Sequence, residues 1–166
     1  MAPSRRLTDL EKNLELRYET LGEAEKDLAM TTDTFEITRI KQRIRERVLP
    51  DIRKYEAEYW EVLVQEARTC AVEEVEAQNA IGEIIPEVEV IANQPSANYA
   101  YEFMQLLLEI RDKLNQQELP AAAKLKAALP LAPGILSYEV ELDTESSLRR
   151  AVQPIRRLFR RAIEKK

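Results

Sequence analysis

The side chains of this chain that could do chemistry are carboxylates, arginines and one cysteine. The 166 residues include no histidine, and Cys70 is the single cysteine. Histidine-dependent nucleophilic catalysis, histidine-ligated zinc and multi-cysteine metal sites are therefore excluded. Glycine occurs only at Gly22, Gly82 and Gly134, so neither a P-loop nor a dinucleotide-binding motif can be written. We predict that the protein is not an enzyme and has no catalytic residue, no cofactor and no small-molecule substrate.

Two clusters of carboxylates carry the oxygen ligands that Mg²⁺ and Ca²⁺ prefer. They are Glu73, Glu74 and Glu76, and Glu139, Glu141 and Asp143. Neither cluster is accompanied by an EF-hand glycine or a Glu-x-x-His ligand pair, and Cys70 has no base to activate its thiol. We therefore predict no metal site and no cysteine nucleophile.

The arginines are concentrated in the last helix that the periodicity predicts. Its candidate interaction residues are Arg149, Arg150, Arg156, Arg157, Arg160 and Arg161. Apolar residues from Leu148 to Ile163 fall on the opposite side, so the helix is basic and amphipathic, although the ring of Pro154 could split it. Three interpretations stay open. The apolar side docks on the core, the arginines contact an acidic surface such as 70–98 of another copy, or they bind an anionic membrane or nucleic-acid backbone.

The elements that position these residues are predicted to be mainly α-helical. Glycine is scarce and charged residues make up 33% of the chain, as in proteins built from long helices. We predict a long antiparallel helical hairpin over 1–69, an acidic helix and linker over 70–98, and a C-terminal helical module over 99–166. No window approaches the length of an apolar membrane span, and we expect a soluble, cytoplasmic protein.

The two arms of the predicted hairpin carry opposite charge. Residues 7–28 hold seven acidic and three basic side chains, whereas 38–54 hold seven basic and two acidic ones. Antiparallel pairing of the arms would bury their leucine and isoleucine stripes and bring the complementary flanks together. Asp33 is a helix cap between the arms, and Pro50 predicts a kink or a restart of the helix near Leu49.

One segment of the second half departs from helical periodicity. ILSYEVEL, at 135–142, alternates like a short strand or β-ribbon, after an apolar loop over 130–134. We predict that a neighbour or client protein adds a strand there, with Tyr138 and Val140 as interaction residues. Residues 86–91 fit either a helix or a strand, and a helix is favoured.

Two runs of the sequence resemble modules of bacterial conflict systems. FEITRIKQRIRERVLPDIRKYEAEYW, at 35–60, looks like the coiled-coil hairpins called effector-associated domains of cyanobacterial and other bacterial proteins. LEIRDKLNQQELPAAAKLKAALPLAPGILSYEVELDTESSLRRAVQPIRRLF, at 108–159, is similar to a C-terminal region that recurs in the same kind of protein. Those families place such modules beside caspase-like, TIR, CHAT or STAND-type NTPase domains. The resemblance implies a non-enzymatic adaptor that joins proteins through like–like contacts.

The functional prediction is a protein–protein interaction adaptor or scaffold that self-associates through the 8–66 hairpin. Its partners are proteins, including a second copy of the chain. The alternative is a peripheral binder of anionic membrane or nucleic-acid backbone through the basic last helix.

Overall fold

A computed structural model describes residues 3–94, 99–138 and 142–165 of the chain. The helices, in chain order, are α1 (Pro3–Met30), α2 (Thr34–Arg43), a π turn (Ile44–Val48), α3 (Leu49–Ala67), α4 (Glu74–Ala92), α5 (Tyr101–Leu114), α6 (Ala121–Ala128), a 3₁₀ turn (Leu129–Leu131), α7 (Ala132–Leu136) and α8 (Leu142–Lys165). The described residues contain no β-strand, so the mainly α-helical prediction is confirmed.

The chain divides into two compact units, Met1–Tyr59 and Trp60–Lys166. The boundary falls inside α3, whose first part belongs to the first unit and whose last part belongs to the second. Helix α4, which carries the acidic segment of the sequence, lies in the second unit.

The first unit is an antiparallel helical hairpin. One arm is α1, and the other is α2, the π turn and the start of α3. Both arms bury an apolar stripe at the three-and-four spacing of a helix face. The buried residues are Leu7, Leu10, Leu14, Leu21 and Ala24 on the first arm and Ile40, Ile44, Val48, Leu49 and Ile52 on the second. Each fully buried leucine or isoleucine stabilises the fold by about 1.5–3 kcal/mol.

Two side chains explain how the second arm begins and where its geometry changes. Asp33 has an extended backbone, and its carboxylate accepts a hydrogen bond of 2.9 Å from the Phe35 N–H, so the predicted cap is confirmed. Proline in a helix lacks an N–H and crowds the preceding turn. The chain widens into the π turn just before Pro50, and α3 begins at Leu49, where the proline predicted a restart.

The second unit is a cluster of helices around α4, which packs on α5, α6 and α8. Helix α4 buries one stripe that includes Ile84, Val88 and Ile91. It continues through 86–91, so the favoured helix is confirmed for that segment. Helix α8 is also continuous through Pro154, and the proline does not split it.

The predicted strand over 135–142 is wrong where the structure describes it. Ile135 and Leu136 belong to α7, and Leu142 begins α8. Pro133 lies in the first turn of α7, a position that favours helix initiation. Ile135 and Leu136 are both buried, whereas a strand with one buried face would expose every second residue. The apolar segment 130–134 likewise forms the 3₁₀ turn and the start of α7 instead of a loop.

Candidate interaction surfaces

The basic last helix is docked through its apolar side. The hydrophobic residues that α8 buries recur at helical spacing along one face. They are Leu148, Ala151, Val152, Ile155, Leu158, Phe159 and Ile163. This burial makes the apolar side of α8 part of the core of the second unit, as the first of the three interpretations expected.

Two arginines of α8 meet the acidic helix α4 of the same chain. An Arg157 nitrogen lies 3.6 Å from a Glu83 carboxylate oxygen, and an Arg161 nitrogen lies 3.5 Å from one of Glu76. The acidic segment and the basic helix therefore contact each other within one copy. Both arginines are more than half exposed, so water screens these ion pairs strongly.

The other four arginines have different surroundings. The side chain of Arg160 is 15% exposed and lies 3.6 Å from the Glu164 carboxylate. Arg149 and Arg156 are half-buried, and exposed Arg150 donates a hydrogen bond of 3.3 Å to the Ser147 hydroxyl. The structure thus does not bring the six arginines together as one fully exposed basic surface.

Tyr138 packs inside the second unit. Its ring is edge-on to Phe103, with ring centres 6.0 Å apart, and Phe103 contacts Tyr99 at 5.0 Å. The Tyr138 N–H donates to the Ile135 carbonyl at 3.3 Å, which closes the turn after α7. Val140 lies outside the described residues. The described part of this segment thus supplies packing and a helix end, without a strand edge.

Glu74 ties the start of α4 to the start of α6, a contact that the sequence analysis missed. Helix α6 follows Pro120 and has no side-chain cap from its own segment. The Glu74 carboxylate instead accepts hydrogen bonds of 2.8 Å and 3.1 Å from the N–H groups of Ala121 and Ala122. These two backbone donors hold the pKa of Glu74 below its usual range. The sequence signal for this contact is Pro120 followed by three alanines, because a helix that starts there has no capping side chain of its own.

Tyrosine–carboxylate hydrogen bonds join the two arms of the hairpin from the inside. The Tyr59 hydroxyl donates to Glu11 at 3.0 Å, and the Tyr18 hydroxyl donates to the buried carboxylate of Glu56. The two contacts are reciprocal, since each arm contributes one tyrosine and one glutamate. Such charge-assisted hydrogen bonds help to fix how the arms are aligned.

Ion pairs at the margins of the hairpin also link the arms. Arg6 lies 2.7 Å from Glu58, and Arg17 lies 3.9 Å from Asp51. Both pairs join a basic residue of the acidic arm to an acidic residue of the second arm. These ion pairs therefore use the few basic residues of the acidic arm and the few acidic residues of the basic arm.

The acidic arm presents an exposed row of like charges. Glu15, Glu19 and Glu23 lie four residues apart on α1, and we call them the acidic row. None of the three has an ion-pair or hydrogen-bond partner within the part of the chain that the structure describes. Leu16 lies beside this row and is 57% exposed.

The second arm presents a matching row of opposite sign. Arg39, Arg43 and Arg47 are exposed, lie four residues apart and form what we call the basic row. Arg39 pairs with Glu36 on its own helix at 2.8 Å. No ion pair joins the acidic row to the basic row among residues 3–94, 99–138 and 142–165.

The tip of the hairpin adds exposed apolar area. Met30, the last residue of α1, is 75% exposed, and Phe35, in the first turn of α2, is 82% exposed. They flank the turn at 31–33. Large apolar side chains this exposed are unusual in a short segment, and a group of them often marks a contact surface.

Within residues 3–94, 99–138 and 142–165, no group of three or more Cys, Asp or Glu side chains could hold a metal ion. Glu139 and Glu141 lie outside these ranges. No described helix is both long and apolar enough to cross a membrane. Comparison of the chain with protein-family models, curated proteins and solved structures found no match.

Proposed function

We propose that this protein is a non-enzymatic adaptor that works by protein–protein association through the exposed faces of its hairpin. The observation that carries the proposal is the separation of the acidic row from the basic row on one folded unit. Both rows are exposed, and no ion pair within the described residues joins them.

The cost of keeping like charges in rows supports this proposal. Like charges four residues apart on a helix repel each other by about 0.2–0.5 kcal/mol per pair. Each row contains two such pairs, and only Arg39 has a compensating carboxylate on its own helix. The attraction of an oppositely charged partner surface to the row would offset this repulsion.

The resemblance of 35–60 and 108–159 to effector-associated modules implies the same adaptor role. Binding of an anionic membrane or nucleic acid by the α8 arginines has less support. The apolar side of α8 is buried, and Arg157 and Arg161 contact carboxylates of α4.

Association of the 166-residue chain tests the proposal. Light scattering after size exclusion would be measured from about 1 to 100 micromolar, at about 50 and 500 mM salt. In parallel, the tagged chain would capture proteins from a bacterial lysate, beside the variant Glu19→Lys/Glu23→Lys. A matched control is Glu87→Lys/Glu109→Lys, which makes the same charge change at exposed positions of the second unit.

We expect salt-sensitive association, with itself or with a captured protein, that the hairpin variant loses and the control variant keeps. A chain that stays monomeric and captures nothing that depends on Glu19 and Glu23 would overturn the adaptor proposal.

A further inference from the structure

We infer that copies of this chain associate head to tail, with the acidic row of one copy docked on the basic row of the next. The inference rests on the proposed function and makes it specific. A second copy is the partner that charge complementarity favours, because the hairpin itself carries one exposed row of each sign. The position of each row on its arm, the spacing of the charges and the height of the rows along the hairpin determine how the copies meet.

The acidic row lies on the back of the first arm. Leu14 and Leu21 belong to the buried stripe of α1, and Glu19 falls between them along the chain. At about 100° per residue, Glu19 is about 140° around the helix from Leu14 and about 160° from Leu21. Glu15 and Glu23 lie about one turn before and after it. The row is therefore on the side of α1 that faces away from the second arm.

The basic row lies along an edge of the second arm. Each of its arginines comes one residue before a buried one, and the three buried residues are Ile40, Ile44 and Val48. One residue corresponds to roughly a quarter of a turn of helix, so the row is beside the buried stripe and stays exposed. The two rows therefore lie on different outer sides of the hairpin, one on each arm.

These positions favour a heterologous contact over a two-fold one. A two-fold axis brings the same surface of both copies together, so a two-fold contact at either row would oppose like charges. A heterologous contact joins two different surfaces, and here it joins carboxylates to guanidinium groups. It leaves the basic row of the first copy and the acidic row of the second copy unused. Each unused row can bind a further copy, so we expect assemblies larger than a dimer, as rings or as open chains.

The spacing and the height of the rows fit such a contact. Each row has three charges placed every four residues, so neighbouring charges are about 6 Å apart along the helix axis. Glu19 and Arg43, the central charges, are a similar number of residues from the turn at 31–33. Two copies whose turns lie at the same end therefore bring three carboxylates level with three guanidinium groups. Leu16, beside the acidic row and 57% exposed, would be covered by the aliphatic stems of the arginines.

The chemistry of this contact predicts a weak and salt-sensitive assembly. Exposed ion pairs contribute little individually, and salt screens them. We expect the dissociation constant of the contact to rise at least tenfold between about 50 and 500 mM salt. An apolar contact of the same size would respond weakly to salt, or in the opposite direction.

Removal of charge from one row at a time, in the 166-residue chain, tests the head-to-tail contact. Glu19→Gln/Glu23→Gln weakens the acidic row and keeps the basic one, and Arg43→Gln/Arg47→Gln does the reverse. Glutamine has a helix propensity close to that of glutamate and arginine, so both variants should fold. We expect each variant alone to be monomeric where the wild type assembles, with a dissociation constant at least tenfold higher. Sedimentation velocity from about 1 to 100 micromolar, at about 50 and 500 mM salt, measures this.

The equimolar mixture of the two variants gives the sharpest result. One variant keeps an intact basic row and the other an intact acidic row, so together they can make one wild-type contact and no second one. We expect a heterodimer that does not grow with concentration, whereas the wild type grows beyond a dimer. Loss of two charges changes the net charge from −5 to −3 in the glutamate variant and to −7 in the arginine variant. Both variants remain negatively charged, so nonspecific attraction does not explain a heterodimer.

Matched controls remove the same number of charges elsewhere. Glu87→Gln/Glu109→Gln removes two exposed carboxylates of the second unit, and Arg5→Gln/Arg68→Gln removes two exposed arginines outside the basic row. We expect both control variants to assemble as the wild type does. Circular dichroism and thermal melting check that every variant is folded.

Four outcomes would overturn the inference. They are a wild-type chain that stays monomeric at low salt, a wild type that stops at a dimer, a row variant that assembles like the wild type, and a mixture without a heterodimer. If the wild type is monomeric but captures another protein through Glu19 and Glu23, the head-to-tail inference fails while the adaptor proposal stands. A chain that neither assembles nor captures a partner overturns both.

Discussion

The molecule contains two pairs of oppositely charged helices, and it uses them differently. In the second unit, acidic α4 and basic α8 pack on each other, and Arg157 and Arg161 lie within ion-pair distance of glutamates of α4. In the hairpin, acidic α1 and basic α2 also pack on each other, yet the acidic row and the basic row stay exposed. Opposite net charge on two packed helices therefore does not establish that their charges meet.

Adjacency to a buried residue along the chain does not explain the difference. Glu83 of α4 comes one residue before buried Ile84, and Arg43 of the basic row likewise comes one residue before buried Ile44. What differs is the contact between the helices. Arginines of α8 lie within ion-pair distance of α4 carboxylates, whereas no described ion pair joins the two rows of the hairpin.

The largest expected effect on the free energy of unfolding comes from a substitution on the apolar side of α8. Phe159→Ala removes a ring that is fully buried in the second unit, and we expect a loss of about 3–5 kcal/mol in the free energy of unfolding. Phe35→Ala is the matched control, because Phe35 is 82% exposed, and its effect should stay within about 0.5 kcal/mol. Urea denaturation followed by circular dichroism measures both.

A small effect of Phe159→Ala would mean that α8 is not part of the core. In that case the basic amphipathic helix would be free to bind elsewhere, and the contrast between the two helix pairs would disappear.

The sequence supported the helices better than the contacts between them. The leucine and isoleucine stripes of the hairpin and the helix over 86–91 followed from periodicity, because helical spacing is a local property. The strand over 135–142 was wrong because the alternating pattern outweighed Pro133, which begins α7. The partner of the α8 arginines was not predictable, since the pattern does not tell whether an acidic helix of the same copy or of another one lies beside them.

The candidate surfaces show the same limit. The opposite charge of the two arms was evident from residue counts, and the counts led to the expectation that pairing brings the complementary flanks of the arms together. Which side of each arm is exposed depends on where the buried stripe lies. The contact of Glu74 with α6 joins residues 47 positions apart, and such a contact has no local signature.

The second prediction concerns Glu74, a carboxylate of α4 whose partners are backbone N–H groups instead of arginines. Glu74→Gln removes the charge that accepts two N–H groups at the start of α6, where the helix dipole favours a negative charge. We expect a lower thermal midpoint at neutral pH, by less than Phe159→Ala causes. Glu73→Gln is the control, since Glu73 is exposed and has no partner among the described side chains.

The pH dependence gives this prediction its sign. The hydrogen bonds to Ala121 and Ala122 lower the pKa of Glu74 in the folded state. The contribution of the carboxylate is therefore fully present above the ordinary pKa of a glutamate and is lost as the pH falls through the lowered one. The difference between wild type and Glu74→Gln should shrink as the pH falls below about 4. A difference that stays constant down to about pH 2 would contradict a role for the charge.

The smallest expected effect concerns the ion pairs between α4 and α8. In Arg157→Gln/Arg161→Gln, two pairs are lost whose arginines are 62% and 58% exposed. Pairs this exposed contribute little, so we expect the free energy of unfolding to fall by at most about 1 kcal/mol. Denaturation at low and high salt measures it, and the difference from wild type should decrease as salt screens the pairs.

The same variant distinguishes docking of α8 on the core from binding of its arginines to an anionic membrane. If α8 is docked by its apolar side and its charges only border the contact, the variant remains folded, and neither wild type nor variant binds vesicles of anionic lipid. Vesicle binding by the wild type at low salt that Arg157→Gln/Arg161→Gln loses would show that these arginines leave the α4 glutamates for phosphate groups. The α4–α8 pair would then be a second candidate binding surface, and the distinction between paired and unpaired charge would no longer favour the hairpin as the unit that we propose to bind a partner.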